Sequence, residues 1–280
     1  MEKRKVIKAD VLGFCMGVRA AMNKLERAVE RRADGERVMT YGPLIHNQQV
    51  LDALSAKGVG RIDSPEEVQE GTVVIRAHGV KKNTIERLRA RGTEVVDGTC
   101  PRVLRSMRTV ERYGQEGYQI VLYGDASHGE IKALEGYAEK VVVVENPEQA
   151  RNLELEEKAL VLAQTTVSIR GYEEVCRILQ EKNPHVVIMK SICPATRDRQ
   201  EALKRLIEQV EALLVVGGRH SSNTKRLYEL ARDSGKTVAH IETAREIPAE
   251  FARFSVVGIT AGASTPDWII DEVESAVRKL

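Results

Sequence analysis

Aromatic side chains are scarce in this chain of 280 residues, at 4% of the total with a single tryptophan. That leaves little for base stacking, a principal means of holding single-stranded nucleic acid. An excess of one charge is also lacking, since 43 basic residues stand against 41 acidic ones for a formal net charge of +2. No strong overall field draws the chain to nucleic acid or to an anionic membrane, and neither is expected as a partner. No run of about 18 apolar residues is present to span a bilayer, and "MEKRKVIKAD" carries no apolar signal-peptide core, so a soluble, cytoplasmic protein is expected. Low-complexity tracts are missing too. With 42% hydrophobic and 30% charged residues, the composition is that of a globular chain long enough for one large domain or two to three smaller ones.

Cysteine is sparse, at four residues: Cys15, Cys100, Cys176 and Cys193. No CxxC pair occurs, which argues against a closed four-ligand structural zinc site. In a reducing compartment disulfides are not expected, so each thiol either fills core or does chemistry. Cys176 lies in "YEEVCRILQEK", on the apolar stripe of an amphipathic helix, and reads as core.

The other three share one context. "KVIKADVLGFC", "TEVVDGTC" and "VVIMKSIC" each read as a short strand and turn ending in cysteine, and a helical pattern follows each. Pro101 and Pro194 suit the first helical position, where a missing N–H costs nothing. The three cysteines stand roughly a third of the chain apart, the signature of an internal repeat. This predicts an α/β protein of three similar lobes with mostly parallel sheets in pseudo-threefold arrangement, the cysteines meeting on the axis. The lobes are expected over 16–99, 100–192 and 193–280, with an N-terminal strand over 1–15 joining the third.

Six further strand-then-helix patterns lie between the cysteines, beginning at "VMTYGPLIHN", "VVIRAHGV", "IVLYGDASHGE", "ALVLAQTTVS", "LLVVGGRHSSN" and "VVGITAGAS". Parallel sheets place ligand groups at the carboxyl ends of their strands. Those ends carry His46, Asn47, His78, His128, Glu130, Thr165, Thr166, Ser221, Ser222, Asn223 and Ser264.

A thiol at a helix N-terminus meets unpaired N–H groups and the positive end of the dipole, which favour the metal-binding thiolate. Glycines at 13, 17 and 98 would let backbone approach a bulky group. Three thiolates suit a cubane iron–sulfur cluster with one open iron. Taken singly, each cysteine also reads as buried filler, and the shared context is what favours the cluster. The histidines, the Ser221-Ser222-Asn223 run and Ser264 suit an anion such as phosphate. Taken singly, a loop histidine reads as surface, and Arg219 and Lys225 read as solvated charge. Glu130 is the best-placed proton donor; it also reads as an ordinary acid in a first helical turn. Thr165 can orient it or a water, and "QTT" also reads as a helix cap.

Nine motifs in order, "GFCMGV", "GPLIHN", "RAHGV", "DGTCP", "HGEIKALEGY", "QTTVS", "CPATRDRQ", "VVGGRHSSNTKRL" and "GITAGASTPDWII", make the chain resemble the 4-hydroxy-3-methylbut-2-enyl diphosphate reductase (LytB/IspH) family over nearly its whole length. The resemblance implies an oxidoreductase of the last step of non-mevalonate isoprenoid synthesis, with three lobes around one 4Fe-4S cluster held by Cys15, Cys100 and Cys193. It implies that His46, His78, His128, Ser221, Ser222, Asn223 and Ser264 hold the diphosphate. Glu130 is then the proton donor, with Thr165 and Thr196 at the hydroxyl end of the substrate. The family's reaction binds the C4 hydroxyl at the unique iron and removes it reductively, yielding isopentenyl or dimethylallyl diphosphate. Ferredoxin or flavodoxin is the implied electron donor. One departure stands out: Gly129 occupies the position between histidine and glutamate where the family often has proline. Other three-cysteine cluster enzymes, dehydratase-like or quinolinate-synthase-like, and a non-catalytic iron–sulfur sensor or carrier are the rival readings. A carrier needs no such set of hydroxyls, imidazoles and carboxylate.

Overall fold

The three strands expected ahead of the cysteines are all present in the computed structural model, which describes residues 4–280: β1 (Lys5–Lys8), β5 (Glu94–Asp97) and β9 (Val187–Ile188). Residues 1–3 of the strand expected over 1–15 lie outside the described residues. Between them run β2 (Val38–Tyr41), β3 (Gly60–Ile62), β4 (Thr72–Ile75), β6 (Gln119–Tyr123), β7 (Val141–Val144), β8 (Ala159–Ala163), β10 (Ala212–Val216), β11 (Thr237–Ile241) and β12 (Val256–Ala261). The α-helices are α1 (Met16–Arg31), α2 (Gln48–Ala56), α3 (Lys82–Ala90), α4 (Pro101–Gln115), α5 (Gly129–Leu134), α6 (Pro147–Asn152), α7 (Ile169–Lys182), α8 (Pro194–Ile207), α9 (Ser222–Arg232) and α10 (Asp267–Val277).

The strands form three four-stranded sheets, every pairing parallel, in the orders β3-β2-β4-β5, β7-β6-β8-β9 and β11-β10-β12-β1. The three orders are one pattern. In each, the strand that leads to a cysteine is the edge strand, and in the third sheet that place is filled from the far end of the chain by β1, whose Lys5–Lys8 register with Val256–Ile259. The chain divides into two compact units, one of Met1–Val18, Ile45–Ala53 and Pro194–Leu280, the other of Arg19–Leu44 and Leu54–Cys193. The first holds the sheet of β10–β12 with β1; the second holds the other two sheets.

Central strands β6, β8 and β10 are buried at every residue, as apolar runs in a parallel sheet covered on both faces must be. In the first unit Leu214, Val216 and Ile259 turn to Ile269, Ile270 and Val273 of α10, while Leu213 and Val215 turn to Leu203 and Leu206 of α8 and Leu227 of α9. In the second, Val121 and Val161 pack with Val175 and Leu179 of α7; Ile120, Leu122 and Leu160 pack with Val103, Met107 and Val110 of α4. Each such side chain contributes about 1.5–3 kcal/mol of transfer free energy. Thus α4, launched from the end of β5, packs on the sheet of β6, and α8, launched from the end of β9, packs on the sheet of β10.

Cys176 lies in the core with Tyr172, as its stripe indicates, and burial pushes its thiol up to about 11. Gly98 and Gly13, expected to make room for a bulky group, lie against protein atoms instead. A Cβ on Gly98 would sit 2.1 Å from the backbone oxygen of Ile75, so the residue admits the neighbouring strand rather than a ligand. Gly13 has φ +75° and abuts Asp267 and Ile270, and Gly17 is inside α1. Gly98→Ala should cost about 1–3 kcal/mol by overpacking, read as a lowered melting temperature.

Candidate functional site

Within the second unit, two of the cysteines are joined by a continuous run of contacts through the acid–base residues. The N–H of Cys193 donates to the carbonyl of Thr165 at 3.0 Å. Thr165 in turn grips Glu130 twice, its N–H donating to Oε1 at 2.9 Å and its hydroxyl to Oε2 at 2.7 Å. Glu130 sits in the first turn of α5, 1% exposed. Burial pushes its carboxyl up to about 7, against a smaller lowering by the Thr165 bonds. It is therefore an acid that holds or yields a proton near neutrality.

His128 caps α5: its Nδ1 accepts the N–H of Glu130 at 3.1 Å. That bond requires Nδ1 unprotonated, which leaves Nε2 as the donor of the neutral ring. His78 meets His128 edge to face, ring centroids 5.0 Å apart. Next to His78, the carbonyl of Ala77 accepts the N–H of Cys100 at 3.0 Å. The order through the unit is Cys100, His78, His128, Glu130, Thr165, Cys193.

The thiols differ from Cys176. Cys15, Cys100 and Cys193 are half-buried, and each immediately precedes a helix. Cys100 caps α4, with Pro101 in its first position, and the Cys15 Sγ accepts the N–H of Val18 at 3.4 Å. Half-buried thiols at helix starts are a donor set that fits a soft, sulfur-ligated metal group.

The first unit carries the other expected residues. Ser221 caps α9 through a bond from the N–H of Thr224, placing Ser222 and Asn223 in the first turn. Ser264 donates to the carbonyl of His46 at 3.1 Å. Asn47 accepts the N–H of Val50 at the start of α2. The amide nitrogens of Asn47 and Asn223 are buried with no partner among the described residues. An orphaned buried donor costs about 1–3 kcal/mol, and a helix N-terminus edged by two of them suits an anion. A Cβ on Gly218 would lie 2.3 Å from the His46 carbonyl, so Gly218→Ala should displace the His46 loop. We expect a cost of about 1–3 kcal/mol by overpacking, read as a lowered melting temperature. Thr196 is buried in α8. Arg219 pairs with Glu246 at 2.6 Å, and Lys225 and His220 are exposed, in keeping with solvated surface.

Several supporting residues were not singled out in the sequence. Gln164, fully buried, accepts the N–H of Asp125 and donates to Thr166, fastening the turn before His128. Arg199 of α8, 3% exposed, donates to the carbonyl of Gly13 at 2.6 Å, two residues before Cys15. Arg76 accounts for Gly129: a Cβ there would lie 3.0 Å from its Nη2 and one on Gly42 2.8 Å from its Nη1. The guanidinium lies against both glycines, so a side chain at either would have to displace it.

Parallel sheets whose strand ends bear a near-neutral buried acid, an imidazole pair, helix-starting thiols and an anion cradle define the class as an α/β enzyme. The comparisons narrow it. The LytB protein family model matches residues 6–278. A 4-hydroxy-3-methylbut-2-enyl diphosphate reductase of Treponema denticola is 42% identical over 96% of this chain and 97% of its own, and one of Alkaliphilus oremlandii is 38% identical over 99% and 100%. The solved structure of (E)-4-hydroxy-3-methyl-but-2-enyl diphosphate reductase, described as the terminal enzyme of the non-mevalonate pathway, superposes with a TM-score of 0.74 at 37% identity, covering 99% of this chain and 100% of that one. The Plasmodium falciparum reductase structure gives 0.91 at 25% identity, covering 99% and 88%. The chain belongs to the LytB family.

Proposed function

We propose that this chain is an oxidoreductase that reduces (E)-4-hydroxy-3-methylbut-2-enyl diphosphate, with two electrons and two protons, to isopentenyl or dimethylallyl diphosphate and water. The observation that carries this reading is the clamp of Thr165 on Glu130, because it joins a proton donor poised near neutrality to the backbone of a thiol-bearing strand end. Cys15, Cys100 and Cys193 would hold one 4Fe-4S cluster, their helix-start thiols fitting it and Cys176 not. When bound, the cluster supplies low-potential electrons and a Lewis-acidic iron left open by the three-thiol set.

The protein's own side chains do the rest. The α9 start with Ser221, Ser222 and Asn223, together with Ser264, His46, His78 and His128, binds the diphosphate. Binding through this remote charged group positions the reacting end. His128 holds its Nδ1 on the Glu130 N–H and presents Nε2 as a donor. Glu130 delivers a proton to the departing hydroxyl and then to the allylic carbon, Thr165 fixing its carboxyl and Thr196 serving the hydroxyl end. Water is shed from a buried carboxyl environment, which keeps the proton where it is needed.

The test is anaerobic reconstitution with iron and sulfide, followed by assay with reduced methyl viologen. Brown protein that converts the substrate to the two diphosphates is expected. Colourless protein after reconstitution, or brown protein inert toward this substrate, refutes the reading.

A further inference from the structure

Helix α4 starts at Cys100 and carries an arginine row out from it. Arg102, Arg105, Arg108 and Arg112 are all exposed and fall within about a third of the helix circumference, along roughly 15 Å of its length. Among the described residues, Arg102, Arg105 and Arg108 have no carboxylate within ion-pair distance, and Arg112 has only Glu116 at 3.9 Å. The nearby acid Glu111 is taken by Lys82 at 2.7 Å. Arg105, Arg108 and Arg112 line a shallow groove with Pro101 and Thr109. A second basic helix reaches the same loop: Lys24 of α1 donates to the carbonyl of Asp97, and Arg27 and Arg31 follow it at helical spacing.

In a chain of net charge +2, four arginines of one face with a single acidic partner are a local field. Such a field attracts an acidic partner and raises its association rate, and salt screens it. We propose that this face of α4 docks an acidic one-electron carrier protein. The inference rests on the proposed reductase activity, in which two electrons must enter one at a time, each donor being oxidised by one electron per visit. Place as well as charge favours a carrier: the row begins two residues after the N-cap thiol, so a protein seated on it has its redox centre brought to the Cys100 end of α4. Nucleic acid is less well matched, because no aromatic side chain lines the groove for stacking.

The test compares wild-type reconstituted protein with the double variant R105E/R108E and a control double variant, R89E/R170E, at exposed arginines elsewhere. Turnover is measured with reduced methyl viologen and, separately, with a reduced plant-type two-iron ferredoxin. The expected result is an unchanged viologen rate in all three. The KM for ferredoxin should rise at least tenfold in R105E/R108E alone, and the wild-type salt dependence of the ferredoxin rate should flatten. Unchanged KM, or an equal rise in the control, overturns the proposal. If the wild type is inert with viologen, the reductase reading has failed, and the docking face is then judged by ferredoxin titration at low salt, where equal affinity of wild type and R105E/R108E overturns it. Retention of a labelled oligonucleotide but not ferredoxin by the wild type also overturns it, in favour of nucleic acid.

Discussion

Glu130→Gln is expected to bind the allylic diphosphate as the wild type does and to turn it over about 10²–10⁴-fold more slowly, the usual contribution of a positioned general acid. Glutamine preserves the size of the side chain and keeps an acceptor for the Thr165 N–H, so the loss reports the proton. Because the carboxyl is raised from 4.5 to about 7, wild-type turnover should fall as pH rises through neutrality, and that inflection should vanish in the variant. The stability consequence has a definite sign. The folded state keeps a proton on Glu130 between pH 4.5 and 7 that the unfolded chain has lost, so this group's contribution is full below the unfolded value and disappears as pH rises through about 7. Glu130→Gln protein should therefore gain in melting temperature relative to wild type between pH 5 and pH 8. A variant with undiminished turnover removes Glu130 from the mechanism, whatever its stability.

Serine in place of Cys15, Cys100 or Cys193 is expected to strip most of the bound iron and lower turnover by more than about a hundredfold, beyond the loss usual for groups one layer out from a metal. The melting temperature of the iron-free protein should barely move, since these thiols are half-buried. Cys176→Ser should do the reverse. It places a hydroxyl among Val175, Leu179 and Tyr172 at a cost of about 1–3 kcal/mol and leaves iron content unchanged. Iron analysis and thermal unfolding on the four variants separate ligand from core. Full iron in any of the first three would remove that cysteine from the ligand set.

Much of this was legible in the sequence because it is written in local pattern. The strands before each cysteine and the six other strand-helix units carry their own apolar periodicity, and the polar residues at their ends follow from parallel topology. The edge strands β3, β7 and β11 were not singled out. β3 has only three residues, and β11 is largely half-buried, so neither carries a strong core signal. Arg76, Gln164 and Arg199 were missed for another reason. Each acts on residues distant in sequence, and nothing local to "VIRAH" announces that its arginine fills the space left by Gly42 and Gly129. Only spatial neighbours explain why glycine stands where the family often has proline.

The matching order of the three sheets joins β1 to β12 in a single seam. Lys5–Lys8 wait for Val256–Ile259, and the N–H of Cys15 waits for the carbonyl of Ala263. On a ribosome Cys15 can take this place only after the segment through Ala263 has been made. A nascent protein can complete its other two sheets well before it can present all three thiols. Deletion of α10 and the strand before it should be felt at residue 15.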